Sequence, residues 1–269
     1  MSASLPAQPL ERLLAIMARL RDPKDGCPWD RQQTYATIVP HTLEEAYEVA
    51  DAIERGDWDG LPDELGDLLY QVVFYARLGE EEGRFDFHQI AARICAKLER
   101  RHPQLFADEV SRASTAQSGH WEATKAQERA AKDLHSALDD LPLALPALSR
   151  SAKIQKRVAA VGFDWDSLGP VAAKVTEELD EVMVEALAAD PDHKRVEEEL
   201  GDLLFAVTNL ARHLKVDPEQ ALRRANYKFE QRFRGVEQLC CQHEIPVNQA
   251  GLEQLEAFWQ DVKLQEKDS

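Results

Sequence analysis

The chain has 269 residues, 44% of them hydrophobic, so it has room for one large domain or two small ones. Its 49 acidic and 32 basic side chains give a formal net charge of −17 at pH 7. This charge opposes binding to nucleic acid and to anionic membranes, so we expect neither as a partner. Acidity also serves solubility, but metal cations are the natural counter-ions of such a chain.

The cysteines and the apolar runs predict a cytoplasmic protein. Cys27, Cys95, Cys240 and Cys241 form no Cys-x-x-Cys pair, and two adjacent cysteines suit neither a zinc site nor an easy disulfide. The longest apolar run, residues 65–78, contains polar side chains and cannot span a bilayer. The N-terminus lacks the uninterrupted apolar core of a signal peptide.

Apolar residues spaced by three and four predict amphipathic helices along the chain. In the first half, the predicted helices cover residues 10–20, 43–53, 61–73 and 90–98. Glycine and proline separate them, and no convincing strand alternation occurs, so the fold class is predicted to be all-α. Gly162 predicts a sharp turn that buries Trp165.

The second half of the chain repeats the plan of the first half in the same order. The matched segments are 26–30 with 162–166, 44–48 with 177–181, 64–69 with 199–204, 97–101 with 228–232, and Trp121 and Lys125 with Trp259 and Lys263. A proline-containing segment, residues 139–146, is the predicted joint. We therefore predict two modules, residues 1–135 and residues 136–269.

Closely spaced carboxylates occur on two consecutive predicted helices. Glu44, Glu45 and Glu48 share one helix face, where like charges repel unless a cation compensates. Glu64 and Asp67 follow on the next helix, and antiparallel packing would bring the two sets together. The second half repeats this spacing with Glu177, Glu178, Glu181, Glu199 and Asp202. A single acidic stretch is usually a solvated surface, but its recurrence favours a site for Mg²⁺ or Mn²⁺.

Basic residues at helical spacing suggest phosphate binding near such a metal. Two pairs lie four residues apart, Lys97 with Arg101 and Lys228 with Arg232. Lysine and arginine grip phosphate oxygens, and arginine does so in bidentate fashion. Ordinary surface ion pairing with neighbouring glutamates is the alternative. Trp259 with Lys263 would add a stacking surface beside another cation, although a core tryptophan is commoner.

Taken together, these motifs resemble the MazG family of nucleoside triphosphate pyrophosphohydrolases in its tandem two-module form. The resemblance rests on the Gly-Cys-Pro-Trp-Asp opening at 26–30, the Glu-Glu-x-x-Glu and Glu-x-x-Asp pairs, and the stretch 226–233. It implies two tandem four-helix-bundle-like modules and a homodimer. It also implies hydrolysis of nucleoside triphosphates to nucleoside monophosphate and pyrophosphate, with broad tolerance of base and sugar and with water attacking the α-phosphorus.

The resemblance also implies roles for single residues. Those implied to hold Mg²⁺, with Mn²⁺ as a substitute, are Glu178, Glu181, Glu199 and Asp202, matched in the first module by Glu45, Glu48, Glu64 and Asp67. Those implied to bind nucleotide are Lys174, Arg195, Asn226, Lys228, Arg232, Trp259 and Lys263, while Lys97 and Arg101 are the first-module candidates. Glu177, with Glu44 at the matching position, is the candidate that orients or deprotonates water.

Two other functions remain open from the sequence. A di-iron carboxylate bundle needs Glu-x-x-His motifs on two helices, and only Glu99 with His102 fits. A non-catalytic sensor of nucleotides or of an alarmone would not need the full carboxylate set that both halves keep. A turnover assay with several nucleoside triphosphates separates the sensor from the enzyme.

The two modules are predicted to be unequal, with the C-terminal one as the main active site. Lys174, one turn before the second acidic stretch, is matched by His41 in the first module. Histidine is mostly neutral at pH 7 and is a poorer phosphate partner than lysine. Asn226 is matched by Cys95, which is a weak hydrogen-bond donor.

Overall fold

The computed structural model describes residues 5–106 and 136–266 of the chain, and within these ranges it contains helices and no strand. The chain divides into two compact units, Met1–Glu128 and Arg129–Ser269. The all-α prediction is therefore confirmed. Among the helices of these ranges, none combines the length and apolar character needed to cross a bilayer.

Two details of the predicted repeat fall at or within residues 107–135, which lie outside the described ranges. Trp121 and Lys125, the predicted counterparts of Trp259 and Lys263, lie outside the described residues. The boundary predicted between residues 135 and 136 falls at the edge of the same segment and stays a prediction.

In its described part, the first unit is a run of helices with defined ends. They are α1 (Pro9–Leu20), α2 (Pro28–Gln32), α3 (Tyr35–Arg55), α4 (Leu61–Glu81), α5 (Phe87–Arg101) and the short α6 (Pro103–Phe106). Thr34 and Thr37 cap the start of α3 reciprocally, each side chain accepting from the other's backbone N–H. The helix ends at Gly56, whose φ of 69° is the left-handed conformation that glycine adopts without strain.

An apolar core joins α1, α3 and α4 of the first unit. Its buried members are Met17, Ile38, Val73, Phe74 and Leu78. Tyr75 connects α4 to α3 at the edge of this core, because its hydroxyl lies 2.8 Å from the Thr42 hydroxyl. The core thus fixes α3 against α4, the two helices that carry the first set of carboxylates.

A buried arginine fastens the Gly-Cys-Pro-Trp-Asp segment to the end of α4. Arg21 donates from Nε and Nη2 to the Glu81 carboxylate at 3.0 and 2.7 Å, and from Nη1 to the backbone carbonyl of Asp30. Tyr70 donates to the Asp30 carboxylate at 3.2 Å. Burial opposes ionisation of Glu81, but hydrogen bonds from Arg21 and then Arg77 leave its pKa lowered.

The second unit has the same succession of long helices. Its described elements are α7 (Ala147–Ala159), α8 (Leu168–Ala186), α9 (His193–His213), α10 (Pro218–Gln242), a 3₁₀ turn (Val247–Gln249) and α11 (Gly251–Gln265). Asp192 and Asp217 cap α9 and α10, each accepting from a backbone N–H in the first turn.

The interior of the second unit differs from that of the first unit. Its apolar cluster joins α10 and α11 and consists of Val236, Cys240, Phe258 and Val262. Several buried side chains of α7 and α9 are polar instead, beside the buried Ala206 of α9. Gln155 donates to the backbone carbonyl of Phe205 at 2.7 Å, and Thr208 donates to that of Leu204. Asn209 is also buried.

The expectation that Trp165 is buried is wrong, because this residue is 43% exposed. Gly162 does turn the chain, with a φ of 91°. A polar anchor fixes the loop: the Asp164 carboxylate accepts from Arg212 Nη1 at 2.9 Å and lies 3.0 Å from His213 Nε2. The hydrogen bond with Arg212 is the largest cause that lowers the pKa of Asp164, and the one with His213 adds to it. Burial acts in the opposite direction, and the pKa falls to about 2.

Large apolar side chains remain exposed on several of the long helices. Those between 39% and 51% exposed include Leu43, Tyr47, Leu65, Leu69, Ile94 and Leu98 in the first unit and Leu179, Met183, Leu200 and Leu204 in the second. They lie on α3 to α5 and on α8 and α9. Large exposed apolar patches are typical of interaction surfaces.

Candidate active site

The first acidic cluster lies between α3 and α4. One carboxylate oxygen from each of Glu45, Glu48 and Glu64 falls within 4.8 Å of the others. Asp67 is near enough for its charge to raise the pKa of Glu45, and Glu44 makes a smaller contribution of the same sign. The two helices therefore bring together the carboxylates that their spacing predicted.

The electrostatics of this cluster fit a bound cation. Burial is the largest cause of the raised pKa of Glu45, followed by its hydrogen bond with Glu48 and then by neighbouring charges. The Oε2 atom of Glu45 is buried and has no hydrogen-bond partner. A buried acceptor among like charges is costly when left alone, and hard divalent cations take oxygen ligands of this kind.

The second acidic cluster lies between α8 and α9. Carboxylate oxygens of Glu178, Glu199 and Asp202 lie within 4.8 Å of one another, and Glu178 is buried. The pKa of Glu181 is raised by burial first, then by a hydrogen bond with Glu178, with a smaller contribution from Glu199. All four carboxylates implied by the resemblance are thus near neighbours.

A lysine bridges two carboxylates at the edge of the second cluster. Lys174 Nζ lies 2.8 Å from Glu177 Oε1 and 2.7 Å from Glu178 Oε1. These hydrogen bonds, Glu177 first and Glu178 second, raise the pKa of Lys174. At the matching place in the first unit, His41 Nδ1 lies 3.7 Å from Glu44 Oε2. The two clusters therefore have the same acidic spacing but differ in the basic residue at the edge, lysine in one and histidine in the other.

Glu177 and Glu44 are not members of the two carboxylate clusters, and both side chains are exposed. Their side chains are 57% and 64% exposed, in contrast to the buried Glu178. An open groove of about 610 Å³ runs along α8 beside the second cluster, lined by Ala173, Thr176, Glu177, Asp180, Glu181 and Val184. Glu177 is therefore accessible to water and to a ligand in this groove.

Aromatic and basic side chains meet where α10 packs on α11. The ring of Trp259 lies 5.1 Å from that of Phe229, which stacks on Phe233 at 6.2 Å. The Arg232 guanidinium lies 5.9 Å from the Trp259 ring and is hydrogen-bonded to Glu266. Lys228 and Lys263 contribute positive charge to the same place, where they help to lower the pKa of Glu266.

Two other predicted binding residues of the second unit, Arg195 and Asn226, make no hydrogen bond or ring contact with this group among the described residues. Arg195, near the start of α9, pairs with Glu185 of α8 at 2.8 Å. Asn226 is exposed on α10. Lys97 and Arg101 lie on the last turns of α5. Sequence spacing did not predict Glu185, the partner of Arg195, or Glu266, the partner of Arg232. Glu185 lies on a different helix from its arginine, and Glu266 follows the last residue of α11.

The fold and both carboxylate clusters coincide with a known family. The model of the MazG nucleotide pyrophosphohydrolase domain matches the chain twice, at residues 33–106 and 169–236. These matches contain all eight carboxylates assigned to the clusters. The chain belongs to the MazG family and is a nucleotide pyrophosphohydrolase, a hydrolase of acid anhydrides. The resemblance stated from the motifs is confirmed.

Curated relatives match the chain almost from end to end. The nucleoside triphosphate pyrophosphohydrolase of Escherichia coli (strain K12) is 59% identical over 259 residues, covering 96% of this chain and 98% of that protein. The nucleoside triphosphate pyrophosphohydrolase/pyrophosphatase MazG of Thermotoga maritima is 40% identical over 253 residues, covering 94% of this chain and 95% of that protein.

Proposed function

We propose that this chain hydrolyses nucleoside triphosphates to nucleoside monophosphate and pyrophosphate in the presence of a divalent cation, chiefly in its C-terminal unit. The observation that carries the proposal is the second cluster, where the buried Glu178 of α8 meets Glu199 and Asp202 of α9 beside Lys174. The named activities of the full-length relatives support the substrate class.

Glu178, Glu181, Glu199 and Asp202 would hold Mg²⁺, or Mn²⁺ in its place, since carboxylate oxygens suit both ions. When bound, the cation offsets phosphate charge and helps to lower the pKa of water. The carboxylates fit this task because Glu178 is buried and the pKa of Glu181 is raised by its neighbours.

Basic residues of the second unit bind and orient the triphosphate. Lys174 stands at the edge of the cluster and exchanges a carboxylate oxygen for a phosphate oxygen. Arg232, Lys228 and Lys263 surround a second anion position. Charge-assisted contacts of this kind stabilise the negative charge that grows in the transition state. Arg195 and Asn226 are assigned nucleotide contacts on the family pattern.

Glu177 orients the attacking water and accepts its proton. Its carboxylate is exposed to the groove and is held by Lys174 at 2.8 Å, which fixes its position. Water then attacks the α-phosphorus, and pyrophosphate leaves in line. Glu44 has the matching place in the first unit, where His41 is the neighbouring base.

Stacking on Trp259 and Phe229 would bind the base without reading its edges. Every base has an aromatic face, so such a platform tolerates different bases and either sugar. The first unit would hold a cation through Glu45, Glu48, Glu64 and Asp67. Lys97 and Arg101 would be its phosphate contacts, and His41 makes it the weaker hydrolase.

We also propose a cytoplasmic homodimer. The exposed apolar faces on α3 to α5 and on α8 and α9 are the surfaces that a second copy would cover. Light scattering on a sizing column should give twice the chain mass of 30.4 kDa. A single-chain mass at micromolar concentration would contradict this assembly.

Product analysis in ¹⁸O-labelled water tests the reaction. With ATP and MgCl₂ we expect AMP that carries the label, and unlabelled pyrophosphate. GTP, UTP and deoxynucleotides should turn over comparably, and chelation by EDTA should stop all of them. ADP with orthophosphate, or label in pyrophosphate, would contradict cleavage at the α-phosphorus. Nucleotide binding without turnover would favour the sensor instead.

A further inference from the structure

The basic group on α10 and α11 already holds an anion supplied by the chain. Glu266 follows the last residue of α11, and its carboxylate accepts from Arg232 Nε at 3.1 and 3.0 Å and from Nη2 at 2.8 Å. Both oxygens thus meet one edge of the guanidinium. This fork is the geometry in which arginine also binds phosphate.

Two lysines add to this anion position. The hydrogen bond with Arg232 is the largest cause of the lowered pKa of Glu266. Burial opposes the shift, and the charges of Arg232, Lys228 and Lys263 reinforce it. Arg232 also faces the Trp259 ring. The carboxylate therefore lies among the basic residues that the proposed function assigns to the triphosphate.

A guanidinium edge cannot serve two anions at once. Arg232 is about one-fifth exposed, and its Nε and Nη2 donors are both turned to Glu266. A phosphate that takes the same edge must displace the carboxylate. Because Glu266 is 41% exposed, its displaced carboxylate is readily solvated, so exchange is feasible.

We propose that Glu266 is an internal competitor for substrate phosphate: its carboxylate occupies the phosphate position at Arg232 and must leave before a nucleotide binds there. The inference rests on the proposed function of the second unit. A cation-bound triphosphate, with many phosphate oxygens and several partners, displaces the carboxylate more readily than a monophosphate does. Glu266 thereby weakens the hold on the nucleoside monophosphate product.

The substitution Glu266→Gln tests the competition directly, because it keeps the shape of the side chain and removes its charge. We expect the KM for ATP to fall about two- to fivefold, the range for a partly exposed ion pair, with kcat unchanged or raised. Calorimetric titration with α,β-methylene-ATP, which cannot be cleaved at that bond, should show the same gain. Inhibition by AMP should strengthen at least as much as substrate binding does.

The matched control is Glu256→Gln, an equal charge change at an exposed position on α11, the helix that Glu266 follows. It should leave all three measurements unchanged. In an Arg232→Gln background, Glu266→Gln should give no further gain. Weaker binding in Glu266→Gln would make Glu266 a positioning residue for Arg232, and unchanged binding would remove its role. Either result overturns the competition. Failure of the proposed function would instead appear as absent turnover in the unsubstituted protein.

Discussion

The two units place the same acidic spacing on different interiors. Val73 and Phe74 of the first unit stand nine and ten residues after Glu64, and both are buried in an apolar core. At the same distances after Glu199 the second unit has Thr208 and Asn209. Both helix pairs nevertheless bring three carboxylates within 4.8 Å. The spacing of the acidic residues on two packed helices is thus enough to bring the carboxylates together. The buried side chains further along the second helix of each pair differ between the units.

Substitutions that disable one cluster at a time test directly whether the two units are unequal. The double substitution Glu178→Gln with Glu181→Gln should lower ATP turnover at least about a thousandfold, because the lost charge stabilisation amounts to several kcal/mol. Glu45→Gln with Glu48→Gln should retain most of the turnover. Steady-state pyrophosphate release measures both. Equal losses, or the reverse order, would refute the inequality of the units.

The two interiors should respond differently to truncation at matched positions. Phe74→Ala should destabilise the first unit by about 3–5 kcal/mol, because it leaves a cavity in a closed core. Asn209→Ala removes the hydrogen bond that Asn209 Oδ1 accepts from Arg212 and should cost about 1 kcal/mol. Hydrogen exchange read from peptides of each unit measures the two effects separately. Equal costs would mean that the second interior is as tightly packed as the first.

Exchanging the basic residue at the edge of the clusters should give a smaller effect. Lys174→His should raise the KM for ATP about 10- to 100-fold at pH 8, the loss of one charge-assisted phosphate contact. The deficit should shrink at pH 6, because histidine with an ordinary pKa of about 6.5 gains its charge as the pH falls. The unsubstituted protein at each pH is the reference.

The reciprocal substitution, His41→Lys, tests whether a lysine at this position improves the first unit. In the protein that carries Glu178→Gln and Glu181→Gln, His41→Lys should increase the residual turnover of the first unit. If it does not, a difference elsewhere limits that unit, and the mismatch between Asn226 and Cys95 becomes the first place to look.

The sequence was sufficient to predict features that depend on local spacing. It did not predict individual pairs of side chains that are far apart in the chain. The helices and both acidic clusters follow from residues three and four apart, which must share a helix face. The pairs Arg21 with Glu81 and Asp164 with Arg212 are 60 and 48 residues apart, and no periodicity marks them. Trp165 was misplaced for the same reason, since its neighbour Asp164 anchors the loop.

The fastening of Arg21 to Glu81 has a consequence for the order in which the first unit assembles. Their contact closes a segment of 60 residues, whereas Thr42 meets Tyr75 across 33. Closing a longer segment costs more chain entropy, and long-range contacts slow folding. The hairpin of α3 and α4, with its acidic cluster, can therefore form before Arg21 is captured. The segment between Arg21 and Asp30 is then fixed later than this hairpin, although it precedes the hairpin in the chain.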